Sequence, residues 1–498
     1  MSPNTKTPSL TPWGLLLPPT GVILLLWLTR VSEVSPEDIL YAFLLFLVPW
    51  TSFQIWEAKN QGGLPIFALV GFAYWWYFAI GLFWLDRVVF VGRYGNVTAG
   101  SVTETMRMAL VAILCVWAGM KVPLPVPPPD RQFEIDGLPG SWLYVRVLLL
   151  GCTALSFVPN VTLLVGGGAR NILEILLDLI PTVALLMLLR KCLSTGGEYE
   201  DRVTLWIYFP LRLLAGLASG WLGSVAILAV LCGAGYYLTR YRIPWKLVIA
   251  CALAILFLQV GKKDFRSAYW YGDTDGGVLD KAVFWVTQSA SIWTGAATSE
   301  NEGATRDKSN ESLERTSLLK QAGHVLDLLP EQVPFQMGKT YSYLLISLIP
   351  RVVWPEKPSI NEANHFYQIA FGLSDERDTQ STNIGVGCMV EAYINFGWLG
   401  VIVVMFVIGV VLSAYERAFF SPGSSALFVA LGVALLRGFL AVESQLAAYI
   451  GGLIQNVGFT ILVFLPIIRR QSVRSKVSGN ATASNSAFST RFRPRPSI

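Results

Sequence analysis

Residues 387–415 read GCMVEAYINFGWLGVIVVMFVIGVVLSAY and carry one charged side chain, Glu391. A helix crosses a hydrocarbon layer about 30 Å thick with roughly 20 predominantly apolar residues, and this run is longer than that. Strands of a membrane barrel would alternate apolar and polar positions over segments of about 10 residues. Here every position from Val401 to Ile408 is apolar. The run predicts a membrane-spanning helix.

Eleven further stretches of the same kind lie near 13–30, 38–56, 64–85, 104–120, 142–160, 171–190, 203–218, 221–239, 244–261, 424–441 and 446–468. The weakest are 38–56, which carries Pro49, and the closely spaced pair joined around Gly220. The expected fold is therefore all-α, a polytopic transmembrane bundle of about 12 spanning helices. Composition agrees. The chain has 498 residues, of which 53% are hydrophobic and 14% charged, against about 25% charged in soluble domains. That excludes a soluble multidomain enzyme, a disordered chain and a disulfide-stapled module. The net charge of +5 mostly reflects a basic C-terminal tail and bears on membrane orientation rather than nucleic-acid binding. Cys115, Cys152, Cys192, Cys232, Cys251 and Cys388 lie in or beside apolar runs without a C-x-x-C pair, and only His324 and His365 are present. Neither a metal site nor a disulfide framework is expected. The first apolar run lacks an early basic segment and a clear cleavage motif, so it reads as a retained helix.

Short loops rich in Lys and Arg face the cytoplasm. With the N-terminus inside, the inner loops hold Lys59, Lys121, Arg131, Arg190, Lys191, Arg202, Arg240, Arg242, Lys246 and Arg417, and the tail adds Arg469, Arg470, Arg474 and Lys476. The opposite short loops hold Arg30, Arg87, Arg93 and Arg170. Both termini are expected in the cytoplasm. The expected organisation is nine spanning helices over 1–261, one long outer-face loop over 262–386, three more helices over 387–468 and a disordered basic tail over 469–498. Within the loop, Ala282, Val283, Phe284, Trp285, Ile292 and Trp293 suit a segment lying at the interface, and Leu318, Ala322, Val325 and Leu329 recur at helical spacing. Residues 295–312 are small, polar and charged, the composition of a flexible excursion. The segment from Ile349 to Pro358 is rich in turn residues.

Ionisable residues inside spanning helices are costly and so informative. Arg212 sits near the middle of the seventh stretch, and Glu174 and Asp178 share a face near the outer end of the sixth. Glu391, Arg437 and Glu443 fall at the outer side of the last three. These residues either pair with one another or reach for headgroups. Alternatively, they form a chamber in which arginines bind a phosphate and a carboxylate takes a proton from a sugar hydroxyl. Gly166-Gly167-Gly168 opens a membrane helix and is no nucleotide fingerprint, and Gly216 to Gly220 suits close helix packing.

Three elements carry a family resemblance: LIPRVVWPEKP at 348–358, TNIG at 382–385 and VEAYINFGWLG at 390–400. With GLASG at 216–220 and KDFR at 263–266, they resemble the bacterial oligosaccharide repeat-unit polymerases, the Wzy-type or O-antigen-polymerase-like proteins. The specific part covers 262–400. The resemblance implies an inner-membrane glycosyltransferase acting on the outer face without cofactor or metal. The donor would be a glycan on undecaprenyl pyrophosphate and the acceptor a lipid-linked repeat unit, with a chain-length regulator and a flippase as partners. It implies Arg351 as first choice for steadying the departing pyrophosphate, followed by Arg266 and Lys263, with Arg437 as a deeper candidate. Glu391 is expected to be a general base or to orient an arginine, with His365 the alternative base. Arg212, Lys357 and Asn383 complete the binding set, and Trp270, Tyr271 and Trp354 would stack on sugars or anchor at the interface. The competing expectations are a ligase that transfers finished glycan, a flippase for the lipid-linked sugar, and a non-catalytic scaffold.

Overall fold

The computed structural model describes residues 11–59, 63–87, 97–124, 131–135, 139–158, 167–240, 244–270, 274–294, 317–347, 362–376, 384–421 and 424–472, with single positions at 161, 242, 272, 349, 354, 356, 358 and 379. Every one of the twelve apolar stretches contains a helix. These are α1 (Pro12–Leu28), α2 (Pro36–Ala58), α3 (Ile66–Phe78), α4 (Ala99–Met120), α5 (Pro139–Leu155), α6 (Gly167–Thr195), α7 (Tyr199–Ala218), α8 (Leu222–Arg240), α9 (Trp245–Gln259), and then α15 (Gly387–Phe420), α16 (Ala426–Leu440) and α17 (Leu446–Phe464). Between α9 and α15 lie α10 (Lys262–Tyr269), α11 (Val278–Trp293), α12 (Leu319–Leu328), α13 (Ser342–Ser347) and α14 (Glu362–Ala370). By length and composition six segments suffice to cross a membrane: Pro36–Ala58, Ile66–Phe83, Ala99–Met120, Ile172–Thr195, Gly387–Phe420 and Ile450–Ile467. Five others are apolar but shorter, at 10–17 residues.

The helix starts follow from local chemistry. Ser35 accepts from the Asp38 N–H at the head of α2, where Pro36 occupies a position that needs no donor. Thr98 and Ser425 cap α4 and α16 in the same way. Pro49 leaves α2 continuous and fits against α3, where a Cβ on Gly71 would stand 2.7 Å from the Pro49 Cβ.

The core runs through α2, α3, α4, α5, α6, α15 and α16, with Leu45, Phe78, Met106, Leu149, Ile180, Met405, Leu412 and Leu431 all buried. The longest seam joins α4 to α15. These helices run parallel: Trp398 Nε1 donates to Glu104 Oε1 at 3.1 Å near one end, and Arg417 donates to the Leu124 carbonyl at 2.9 Å near the other. Parallel packing is what the five apolar helices between them, α5 to α9, require, since an odd number of intervening crossings returns the chain to the same direction. At the crossing point a Cβ on Gly119 would lie 2.1 Å from the Phe406 carbonyl oxygen, and one on Gly409 would lie 2.2 Å from that of Val116. The two backbones are in direct contact, the role small residues serve between membrane helices.

The long connection is folded down onto one end of the bundle. Asp327 of α12 accepts from Thr98 N, Thr98 Oγ1 and Ser101 Oγ, so a carboxylate caps the N-terminus of α4. Leu318, Ala322, Val325 and Leu329 are all buried, as the helical spacing predicts. Ser347 of α13 receives a hydrogen bond from Gln455 of α17 at 3.1 Å. Far from lying isolated, α11 packs on α7 and α9 around Phe265 and Trp285, and Trp285 Nε1 donates to the Leu258 carbonyl at 3.0 Å. Residues 295–312 and the tail beyond 472 lie outside the described residues.

Two features depart from the expectation. The helices are joined at the opposite end by a two-stranded antiparallel ribbon, β1 (Arg131–Ile135) with β2 (Ile468–Ser472), in a register that sets Glu134 opposite Arg469. The start of the expected disordered tail is thus a strand; pairing so distant in sequence leaves no local signature. The stretch 387–415 is also not one straight span. The 34 residues of α15 break at Phe396 (φ −139°, ψ 17°) and Gly397 (φ 60°, ψ −146°), the latter a left-handed conformation that suits glycine. At 1.5 Å per residue an unbroken α15 would be about 50 Å long, far beyond a hydrocarbon layer. The break separates a short arm, 387–395, from the segment that runs beside α4.

Candidate functional site

Three helices each contribute one charged residue to a common point. Asp178 lies on α6, Arg212 on α7 and Arg437 in the last turn of α16. Asp178 Oδ1 is 3.3 Å from Arg212 Nη2, and Oδ2 is 2.7 Å from Arg437 Nη1. The carboxylate thus bridges two guanidinium groups and leaves a local charge of +1. The bridge is accessible, with side-chain exposures of 51% for Asp178, 27% for Arg212 and 47% for Arg437, although Ile180, Val183 and Ala184 on the next turns of α6 are buried. Pro181 and Pro210 stand within a turn of Asp178 and Arg212. Each proline removes one rung of its helix ladder and frees a carbonyl four residues back. The Thr182 hydroxyl donates to the Asp178 carbonyl at 2.7 Å. Each arginine carries five N–H donors, so most remain to meet an anion. Glu174 takes no part and pairs with Arg170 on its own helix at 3.0 Å.

Glu391 is placed differently. It is 2% exposed on the short arm of α15, and its Oε2 accepts from the Leu446 N–H at 2.8 Å. The arm is tied down around it. Gly387 N donates to the Glu443 carbonyl at 3.0 Å, and the Cys388 thiol donates to that of Ser444 at 3.2 Å. Asn395, one turn on, donates to Thr340 Oγ1 at 2.7 Å and accepts from Gly338 N at 3.0 Å. The Tyr341 hydroxyl is pushed above its usual range by burial and then by the Glu391 carboxylate. Glu391 and Asn395 hold together the α15 arm, the α16–α17 turn and the segment 336–341. The node they form includes the turn in which the helix of Arg437 ends.

Arg266 and Trp270 form a third unit. The Arg266 guanidinium lies 4.2 Å from the Trp270 ring centroid, a cation–π stack, and Trp270 Nε1 donates to the Ser219 carbonyl at 3.2 Å. A Cβ on Gly220 would stand 2.3 Å from the Phe265 ring, which gives the last glycine of GLASG its reason. Ser219 follows Arg212 by seven residues on the same helix, so this unit sits about 10 Å farther along the axis of α7. The Trp354 side chain is exposed. Arg351, Lys357, Asn383, Tyr271 and the side chain of Lys263 lie outside the described residues. Among the expected site residues the structure brings together Arg212 with Arg437, and Arg266 with Trp270. It sets Glu391 apart in its own buried node.

Three groups outside the expected site set are made central by the fold. Asp178, for which pairing with another charge is one of the two expectations, pairs with both arginines. Asn395 is signalled only by its four-residue spacing from Glu391. At the opposite end of the bundle, Arg146 inside the apolar stretch of α5 reaches Asp201, Glu198 and Glu200, and Lys191 meets Asp201 at 2.7 Å. Among the described residues no three His, Cys, Asp or Glu side chains gather as metal ligands.

Residues 141–472 match a family described as a domain of unknown function, DUF8712. The match covers more than half of the chain, and the chain belongs to this family. It takes in Asp178, Arg212, Glu391 and Arg437 and begins inside α5, so α4, the principal packing partner of α15, precedes it. No curated protein and no solved structure matches the chain.

Proposed function

We propose that the chain is a multi-pass inner-membrane glycosyltransferase that polymerises lipid-linked oligosaccharide repeat units, with its long connection on the outer face and about twelve crossings. The observation that carries this reading is the bridged, accessible arginine pair Arg212–Asp178–Arg437 among apolar helices. Positive charge held by two helices at one point is suited to the negative charge that builds on a departing pyrophosphate. In the reaction, the acceptor hydroxyl oxygen bonds to the anomeric carbon of the donor sugar. The bond from that carbon to the pyrophosphate oxygen breaks, its electron pair stays with the lipid pyrophosphate, and the hydroxyl proton passes to a base. Arg212 and Arg437 bind the pyrophosphate. Arg266, stacked on Trp270, and Arg351 of the 348–358 motif are the further candidates for binding the donor's phosphates. Glu391 keeps the α16–α17 turn in place. The orientation is supported by the gathering of Lys59, Lys121, Lys191, Arg240 and Arg417 at helix ends on the ribbon side.

The test is the product. In a deletion strain, the wild-type chain should restore a multi-repeat ladder on the lipid carrier, whereas Arg437→Ala and Arg212→Ala, present in membranes at equal amount, should leave single repeats. A full ladder from both variants would refute the assignment. Arg212 lies partway along a helix, and this position favours a flippase as the second reading, since transporters place their sites near mid-depth. A flippase would move the lipid outward without any new glycosidic bond. A ligase would be marked by long lipid-linked chains accumulating in the deletion strain.

A further inference from the structure

We propose that Asp178 is an internal counter-anion that occupies the arginine pair until a multivalent phosphate displaces it, and so keeps monoanionic phospholipid headgroups out of the site. The inference rests on the reading of Arg212 and Arg437 as the pyrophosphate site. Both carboxylate oxygens of Asp178 are engaged, each by a guanidinium from a different helix, at 3.3 and 2.7 Å. Geometrically this is how a phosphate would bridge the same two arginines. Two unpaired guanidinium groups on apolar helices would be costly and would attract any anion at hand, including the diester headgroups of the surrounding lipid. With Asp178 in place, a monoanion exchanges one negative charge for another and gains little. A pyrophosphate brings more charge and more acceptor oxygens, and it spans both arginines. The side-chain exposure of 51% leaves the carboxylate room to swing aside without opening the core. Asp178 is therefore a specificity-determining residue that touches no reacting atom.

The experiment uses the full chain in detergent, with inorganic pyrophosphate and dimethyl phosphate as probes, measured by titration calorimetry. Two half-exposed ion pairs given up together weigh about tenfold in a binding constant. Asp178→Asn should therefore bind pyrophosphate about tenfold more tightly than wild type. It should also bind dimethyl phosphate, which the wild-type chain should not measurably hold. Asp178→Glu, which keeps the charge, should stay close to wild type, a rescue that a purely structural role for the aspartate's shape would not produce. Asp178→Ala removes the same charge with no new amide to satisfy and is measured in parallel, so a poorly folded Asn variant leaves the outcome decided. Unchanged or weaker pyrophosphate binding in Asn and Ala, with binding still lost in Arg437→Ala, overturns the role of Asp178 alone. Pyrophosphate binding that survives both Arg212→Ala and Arg437→Ala overturns the site itself.

Discussion

Replacing Glu391 separates a positioning carboxylate from a chemical one. Its Oε2 holds the Leu446 N–H at 2.8 Å from a side chain that is 2% exposed. Glu391→Ala removes a hydrogen bond to a buried carboxyl, worth about 0.5–1.5 kcal/mol, and leaves a buried donor orphaned beside a small cavity, which adds about 1–3 kcal/mol. Taken together the loss is about 2–4 kcal/mol. Unfolding entropy near 2 cal/mol/K per residue, applied to a chain of this length, converts that into a fall of about 2–4 °C in melting temperature. Glu391→Gln keeps the shape, and its amide oxygen still accepts from Leu446, so its cost should stay below about 1 kcal/mol. Differential scanning fluorimetry in detergent reads the stability, and the length of the lipid-linked ladder reads the activity. The Gln variant should keep most of the ladder, and the Ala variant should lose it in step with the protein recovered. A Gln variant that melts like wild type and makes no polymer would refute the positioning role and return Glu391 to the chemistry as a base.

Two further outcomes follow from the packing and from the charge at the ribbon end. Gly409→Ala puts a Cβ 2.2 Å from the Val116 carbonyl oxygen and should cost about 1–3 kcal/mol, whereas Gly458→Ala, with no atom within 4 Å, should be neutral or stabilising; equal melting temperatures for the two would contradict the close α4–α15 crossing. Asp201 lies in the first turn of α7, ahead of the apolar stretch 203–218. Burial alone would raise its carboxyl, but Lys191, the Glu198 N–H and Arg146 outweigh burial and hold it below the ordinary range. A depressed carboxyl contributes stability that is complete above its unfolded value, about 3.9, and is lost as pH falls through the folded value below that. Melting curves from pH 7 to 3 should therefore show a steeper acid decline for wild type than for Asp201→Asn, and parallel curves would count against a stabilising role for the Arg146–Asp201–Lys191 cluster.

Helical stretches were legible because a membrane helix is a local object: apolar length alone announces it, and each of the twelve runs contains a helix. The amphipathic α12 was legible for the same reason, from Leu318, Ala322, Val325 and Leu329 at helical spacing. The candidate site was legible only as a shortage of charge. Arg212, Arg437, Glu391 and Asp178 stand out because they lie in apolar runs where charge is costly, but nothing local says which of them meet. Asp178 joins Arg212 across 34 positions and Arg437 across 259, while Glu391 turns instead to the backbone of Leu446.

What the amino-acid sequence determines by itself is therefore the membrane-helical class, the places where helices form and the few positions at which charge is costly. Tertiary structure alone decided that α15 breaks at Gly397 and sends Glu391 to a buried node, and that β1 finds β2. It also decided that one carboxylate bridges two arginines. The physical reason is range. Helix formation and apolar burial are set by neighbours within a few turns, whereas ion pairing and strand pairing depend on which segments the fold has already brought within about 4 Å of each other.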